Sequence, residues 1–501
     1  MNVDNDKTQA LANLQSLEQR RSRLIEEFDA VELSIAYARA EYARLTNQSA
    51  SIARLPYEVL AHIFMMGAQD YVKDGVLRAS RAPGFEVLVS HVTSHWRDVA
   101  VHSPSLWTYV YNSSWKEWDG EVDRISVYLE RSMACPIDIT FFLSDDLYTE
   151  SGGDKLLSMI NEHIVRWRRV FLQLFHRNNM ATLVSSIRHA FAPSLEHFSL
   201  CHCKEPRYPD QTHNYDPRVF TGGAPSLTFL RLSGNAVMDS QPPLSALTTL
   251  HLEANVDLDI SIPYPHFCEL ITAAPSLLNL SLDGVLVLSF PPYGSHTLKI
   301  PALRSLRVRV IATTLHELFS AIEAPQLESL VIADCCEDDY DIQTTSGFQF
   351  LQFPSSTPKF PILHSLTLSD CHLLFASCRA LFLNLPSVAH LTLLGSFDID
   401  ILKELEGVMF SSDLPWTQLH TLTIECLDTL QESLLCTRVL TGRLQRGHPV
   451  AMLRLENQLR SKFKRRGRLE CLERVVAVEK WSGAEPWPPG LDFVDENDVF
   501  M

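Results

Sequence analysis

The chain lacks a phosphate-binding loop, a GxGxxG dinucleotide fingerprint, a GxSxG nucleophile elbow and an HExxH metal motif. Its scattered His and Asp residues fall into no triad arrangement, so a non-catalytic protein is expected. It also lacks any run approaching the roughly 18 apolar residues that span a bilayer, and it opens on polar and acidic residues rather than an apolar signal region. A soluble protein of the cytoplasm or nucleus, with no membrane partner, is the expectation. Basic residues are in deficit: 43 Lys and Arg face 60 Asp and Glu, for a formal charge of -17. Phosphate backbones are held by clustered Lys and Arg, so no nucleic-acid partner is expected. The 11 cysteines are odd in number and widely spread, which fits reduced thiols better than a disulfide framework. Cys201-His202-Cys203 and Cys371-His372 look locally like metal ligands, but no CxxC pair or spaced second half accompanies them. No metal and no cofactor are expected.

What is present is the composition of a folded protein. Apolar residues make up 46% and charged residues 21% of a chain of 501, enough for two or three structural units. From Leu14 to Leu45 the apolar residues follow a seven-residue frame. Leu14, Phe28, Ile35 and Tyr42 share one position; Leu17, Leu24, Val31, Ala38 and Leu45 follow three residues later. That is a coiled-coil seam, predicted as a long amphipathic helix over residues 1–48. Arg21 interrupts one core position, and Ala38 and Tyr42 depart from the size of Leu. Self-association and folding back onto the same chain both remain open at this point.

After a polar break come two short apolar stripes. Pro56 suits a first helical position, and Val59, Leu60, Ile63 and Phe64 follow on one side of a short helix. The second stripe is Val89, Val92, Trp96 and Val99, followed by Ser103-Pro104-Ser105-Leu106-Trp107. Leu55-Pro56, Glu58-Val59-Leu60, Ile63-Phe64, Val89-Ser90, Val92, Trp96-Arg97, Ala100, Pro104 and Leu106-Trp107, in this order and spacing, resemble the F-box. The resemblance spans about 55 residues. It departs from the family at Thr93, where a small residue or Cys is usual, and in the length of residues 65–88. It implies a small all-α domain over residues 49–112 that binds the Skp adaptor, and through it cullin, in a ubiquitin ligase. The implied adaptor-binding residues are Leu55, Pro56, Val59, Leu60, Ile63, Phe64, Val89, Val92, Trp96, Leu106 and Trp107. A unit this small cannot bury all of that apolar area, so part is expected to face a partner. The stripe from Leu55 to Phe64 is the expected contact; Trp96 and Trp107 equally suit internal packing.

Behind this segment an L-x-x-L-x-L motif recurs. Its copies begin at Leu195, Leu227, Leu247, Leu277, Leu303, Leu327, Leu363, Val388 and Leu419, with a degenerate one at Trp167 and an alternating strand at Ile137–Phe141. The spacing of about 20 to 36 residues straddles the 20 to 29 of leucine-rich repeats. Each copy predicts one strand and a return, unstable alone and stable in a stack. A Pro-led turn precedes most copies, at Pro193, Pro225, Pro275, Pro301, Pro325, Pro361 and Pro386. Cys203, Asn235, Asn255, Cys335 and Cys371 match the polar position after the strand, where a small side chain satisfies turn backbone. Longer insertions at 204–223, 285–300 and 335–360, the last with the acidic run Glu337–Asp341, are candidate loops for a binding partner or plain solvated loops.

Ten basic residues between Arg438 and Arg468 stand apart from the acidic remainder. A targeting or nucleic-acid patch is one reading. A terminal cap is the better one, with a strand near Met452, a helix carrying Leu459 and Phe463, and a last strand near Val475–Val478. The tail from Gly483 is expected to be flexible.

The expected architecture is therefore α+β and multi-domain. It comprises a coiled-coil helix (1–48), a small all-α F-box (49–112), an α/β leucine-rich-repeat solenoid with a parallel sheet and cap (113–482), and a tail (483–501). The whole layout is similar to the F-box families abundant in mushroom-forming fungi. It implies a substrate-recognition subunit of a Skp-cullin-F-box ubiquitin ligase whose repeats bind an unknown protein substrate. The alternative is a scaffold that assembles proteins without serving a ligase.

Overall fold

The structure is a computed structural model. It describes residues 3–73, 84–112, 118–143, 150–174, 177–202, 216–254, 262–284, 287–288, 290, 297–335, 358–373, 375–407, 414–427, 429–483 and 487–488. Cys203, Asn255, the acidic run Glu337–Asp341 and most of the tail lie outside them. The chain divides into two compact units, Met1–Trp107 with Arg131–Met133, and Thr108–Glu130 with Ala134–Met501.

The first unit is helical. Helix α1 runs Val3–Ser49, uninterrupted because no Gly or Pro enters it. The seam residues from Leu14 to Leu45 are all exposed, with Leu17 and Phe28 each at 63%. Three shorter helices follow: α2 (Tyr57–Lys73), α3 (Phe85–Ser90) and α4 (Ser94–Val101). The Pro56 carbonyl accepts from the Val59 and Leu60 amides, so proline sits where its missing N–H costs nothing. Thr93 caps α4, its hydroxyl accepting from the Trp96 amide at 3.0 Å. Gly67, in the middle of α2, admits the Phe85 ring: a Cβ there would stand 2.4 Å from the ring's Cζ. Helix propensity is given up at that position so that α2 and α3 can approach.

Among the described residues, the second unit is built, beside helices and two two-stranded sheets, on a parallel sheet of 14 strands in sequential order. Its strands are β1 (Tyr109–Tyr111), β2 (Ile137–Leu143), β3 (Trp167–Leu174), β4 (His197–His202), β5 (Phe229–Gly234), β6 (Thr249–Glu253) and β7 (Asn279–Asp283). They continue as β8 (Ser305–Arg309), β9 (Ser329–Ala333), β10 (Ser365–Cys371), β11 (His390–Phe397), β12 (Thr421–Ile424), β13 (Met452–Glu456) and β14 (Ala477–Trp481).

Every L-x-L copy supplies one of these strands, and parallel pairing stacks the copies in register. Leu230, Leu250, Leu280, Leu306, Leu330, Leu366, Leu391, Leu422 and Leu453 form one unbroken row, all fully buried. Two residues along each strand a second apolar row runs from Leu200 to Leu455. Since strand side chains alternate, both rows point to one side and leave the intervening residues on the other. Each buried Leu contributes very roughly 1.5–3 kcal/mol, so the rows dominate the unit's stability.

The leading Leu of each copy belongs to a turn, not a strand. Its amide donates to the carbonyl three residues back, as from Leu195 to Ala192, Leu227 to Ala224, Leu277 to Ala274, Leu303 to Ile300 and Leu327 to Ala324. Proline occupies the second position of each of these turns, where its restricted φ is already correct. Successive turns are also tied together: the Ser226 hydroxyl donates to the Pro193 carbonyl at 2.7 Å, and Ser387 to Pro361 at 2.8 Å.

Two boundaries differ from expectation. The sheet begins at Tyr109, inside the segment assigned to the helical domain, because Val110 alternates inward and Tyr109–Tyr111 pair with Asp138–Thr140. The last strand starts at Ala477 rather than Val475, whose amide closes a turn onto the Leu472 carbonyl. Within the basic stretch, Arg443 is fully buried and donates to the Pro415 and Trp416 carbonyls at 2.9 and 2.6 Å. Burial lowers its pKa to about 10. Of the other cations, Arg438 lies in the helix Leu430–Gln445, Arg454 in β13, and Arg460, Lys462, Lys464 and Arg465 in the helix Asn457–Arg465.

Candidate interaction surfaces

The helical unit sorts the expected contact residues into two sets. On α2, Leu60 and Phe64 turn inward, the first fully buried and the second 1% exposed, while Val59 and Ile63 stand 43% and 44% exposed. Neighbouring helical positions lie about 100° apart, so one wide apolar stripe serves both a core and a surface. Leu55 is half-buried and Pro56 exposed. Val89, Leu106 and Trp107 are buried, Val92 is 54% exposed and Trp96 is half-buried.

The inward set makes a closed core. Phe64 and Trp96 pack with ring centroids 4.9 Å apart. The Trp107 indole donates to the Ala100 carbonyl at 2.8 Å. Tyr57 ties the start of α2 to the end of α4, its hydroxyl donating to the His102 carbonyl at 2.7 Å. Leu60, Phe64, Val89, Leu106 and Trp107, all among the implied adaptor-binding residues, are buried within the unit in the free chain. Among the exposed residues not anticipated are Met66 and Leu88, at 53% and 43%. Met66 continues the outward line of Val59 and Ile63 by one more turn, and Leu88 precedes Val89; helical spacing alone could have found the first.

The second region is the sheet face opposite the leucine rows, whose residues on β5 to β8 are mostly buried. On β5 to β8 the intervening residues are Arg231, His251, Ser281 and Arg307, aligned by strand register, with Ser233, Glu253, Asp283 and Arg309 as the next row. Arg231 bonds Glu253 at 2.8 Å and Arg309 bonds Asp283 at 2.5 and 2.7 Å. Trp487, from beyond the last strand, lies against this face. Its indole donates to the Ser305 hydroxyl at 3.1 Å and stacks on the Arg307 guanidinium at 4.6 Å, with the His251 ring at 6.4 Å. The tail was expected to be flexible throughout; at Trp487 and Pro488 it is placed.

Electrostatics follow from burial. Desolvation, then Arg231, Arg307 and Arg309, hold His251 well below its ordinary pKa. Desolvation, then Arg169 and Arg231, push His197 down to about 3. Both rings are neutral at physiological pH. Sequence reading missed this cluster because it concentrated on the leucines; the residues between them, compared copy by copy, carry the signal.

Cys371, expected just after the strand, is instead the last residue of β10, where its thiol donates to the Ile332 carbonyl at 3.3 Å. Cys335 is buried and its carbonyl accepts from the His372 amide at 2.9 Å. Among the described residues no three His, Cys, Asp or Glu side chains cluster as a metal site would. Nor, among them, is any helix long and apolar enough to cross a membrane. No protein-family model matches the chain, and no curated protein matches it.

Proposed function

We propose that this protein is the substrate-recognition subunit of a Skp-cullin-F-box ubiquitin ligase. The helical unit docks the Skp-type adaptor, and a leucine-rich-repeat array binds a protein substrate. One observation carries the reading most: residues resembling the F-box fold as a separate small helical unit that leaves Val59, Ile63, Met66, Leu88 and Val92 uncovered. Apolar residues on a small unit are the usual material of a docking patch. The chemistry of ubiquitin transfer then belongs to other subunits, in keeping with the absence of catalytic motifs in the sequence.

The substrate side is assigned to the repeat unit, although the face of β5 to β8 is itself covered, with Arg231, His251, Ser281 and Arg307 at most 3% exposed. The charged residues of that face are positioned by register and ion pairs, and the Trp487 contact illustrates how an aromatic side chain is held there. Adaptor binding tests the proposal. The full chain and a Leu55→Ala, Pro56→Ala variant are incubated with a purified Skp-type adaptor. Binding by the first and loss by the second is expected; no binding by the unaltered chain refutes it. The scaffold reading, which the exposed seam of α1 favours, predicts that second outcome.

A further inference from the structure

We propose that α1 pairs with α1 of a second copy of this chain as an antiparallel coiled coil. The pairing does not depend on the adaptor reading.

The need for an occupant is plain. Leu14, Leu17, Leu24, Phe28, Val31, Ile35, Tyr42 and Leu45 are 37% to 75% exposed along a continuous seam. Exposed apolar residues occur singly on most surfaces, but a seam spanning more than four heptads is what coiled coils bury.

Charge and side-chain size identify the occupant and its direction. Consider first two parallel copies in register. Like positions then meet, so Arg21 faces Arg21 in the core and Ala38 faces Ala38, leaving a gap. Across the flanks, where each residue meets the one five further along the other helix, Glu27 faces Glu32, Arg20 faces Ile25 and Ser34 faces Arg39. The result is two like-charge contacts by symmetry and no ion pair.

Now reverse one helix and set Phe28 level with Val31 of the second copy. Every seam residue finds a partner. Leu24 meets Ile35, Leu17 meets Tyr42 and Leu14 meets Leu45. Arg21 meets Ala38, the one small residue of the seam, which leaves its long side chain room to reach water. On the flanks Glu18 faces Arg39 and Arg20 faces Glu41, each twice through the two-fold axis, while Glu27 meets Ser34 and Ile25 meets Glu32. No like charges oppose. Glu41 already pairs with Arg44 of its own helix at 2.6 Å, so Arg20 of the second copy would join an existing carboxylate contact. The axis passes between Asp29 and Ala30, near the middle of the Val3–Ser49 helix, so the pairing runs from Ala10 to Ser49 of each copy and leaves only the first seven helical residues overhanging. Leu33 and Tyr37, also exposed, lie outside the interface. An isologous contact of this kind closes at two copies.

The test uses the full chain in sedimentation equilibrium at low ionic strength. A dimer is expected. Glu18→Arg and Arg39→Glu should each weaken it about tenfold by turning two attractions into repulsions. The double variant Glu18→Arg, Arg39→Glu should regain the original affinity. In a parallel pair Glu18 faces Asn13 and Arg39 faces Ser34, so the single reversals would change little. Circular dichroism checks that each variant keeps its helix. Direction is read separately by mixing a Leu14→Cys chain with a Leu45→Cys chain and mapping disulfide-linked peptides. A cross-link joining positions 14 and 45 supports the proposal; one joining two copies of position 14 overturns it, as does a monomer at micromolar concentration.

Discussion

Two adjacent residues of α2, Ile63 and Phe64, should separate binding from folding. Ile63 is 44% exposed and Phe64 is 1% exposed, packed 4.9 Å from Trp96. Replacing Ile63 by Asp removes apolar area that is already half solvated in the free chain. The folding cost is confined to helix propensity and the lost half-contact, about 1 kcal/mol. Docking would bury the remaining half of the side chain, so the same change forfeits about 1 kcal/mol of apolar transfer and adds the cost of drying a carboxylate without a partner. A loss of about 2–3 kcal/mol in adaptor affinity follows, roughly 30- to 150-fold at 1.4 kcal/mol per decade. Phe64→Ala acts the other way: it opens a cavity in the small core and costs about 3–5 kcal/mol of stability. Titration of each full-length variant with purified Skp-type adaptor gives the affinities, and urea unfolding gives the stabilities. If Ile63→Asp binds as tightly as the unaltered chain, the outward stripe is not the docking surface and the argument fails. A stable Phe64→Ala variant that selectively loses binding would show that inside and outside have been exchanged.

Three further outcomes are expected. Gly67→Ala gains helix propensity of about 1 kcal/mol but drives a methyl into the Phe85 ring, so net destabilisation of about 1–2 kcal/mol is expected in thermal unfolding. An unchanged or raised midpoint would mean the ring moves freely. Acid should weaken the sheet unit through His197 and His251. Their folded-state pKa values lie below the ordinary 6.5, so below that value the unfolded chain binds protons that the folded chain refuses. Stability is then complete above pH 6.5 and falls as pH drops toward about 3 for His197, by about 1.4 kcal/mol per unit for each histidine. Urea midpoints of the unaltered chain and a His197→Phe variant between about pH 7.5 and 5.5 read this, and equal slopes would count against it. Trp487→Ala should cost about 1–2 kcal/mol, the sum of a cation-π contact and a hydrogen bond, and should increase hydrogen exchange around Ser305 and Arg307. Unchanged exchange there would show that the indole does not cover the face.

Much of the sheet was legible because its determinants are local and repeated. Leu230, Leu232, Leu250 and Leu252 announce strands by alternation, and Pro225 and Pro275 announce the turns that lead into neighbouring copies. The tyrosines of β1 were not legible, since three residues carry too little alternation to distinguish a strand from the end of a helical segment. Arg231 and Arg307 sit 76 positions apart in sequence, and only the stacking of the copies places them on one face. The apolar residues of α2 were legible as a stripe but not as sides: Val59 and Leu60, or Ile63 and Phe64, are equally apolar neighbours.

The order of apolar residues and the period at which they recur are enough to specify a long helix, a short helical segment and a stack of strands. Those properties belong to the backbone's own periodicities and to turns closed within four residues. The tertiary structure alone decided which half of the α2 stripe is core, which strand residues assemble into a charged face, and where Trp487 rests. Each of these depends on contacts between segments distant along the chain, whose geometry no local pattern contains.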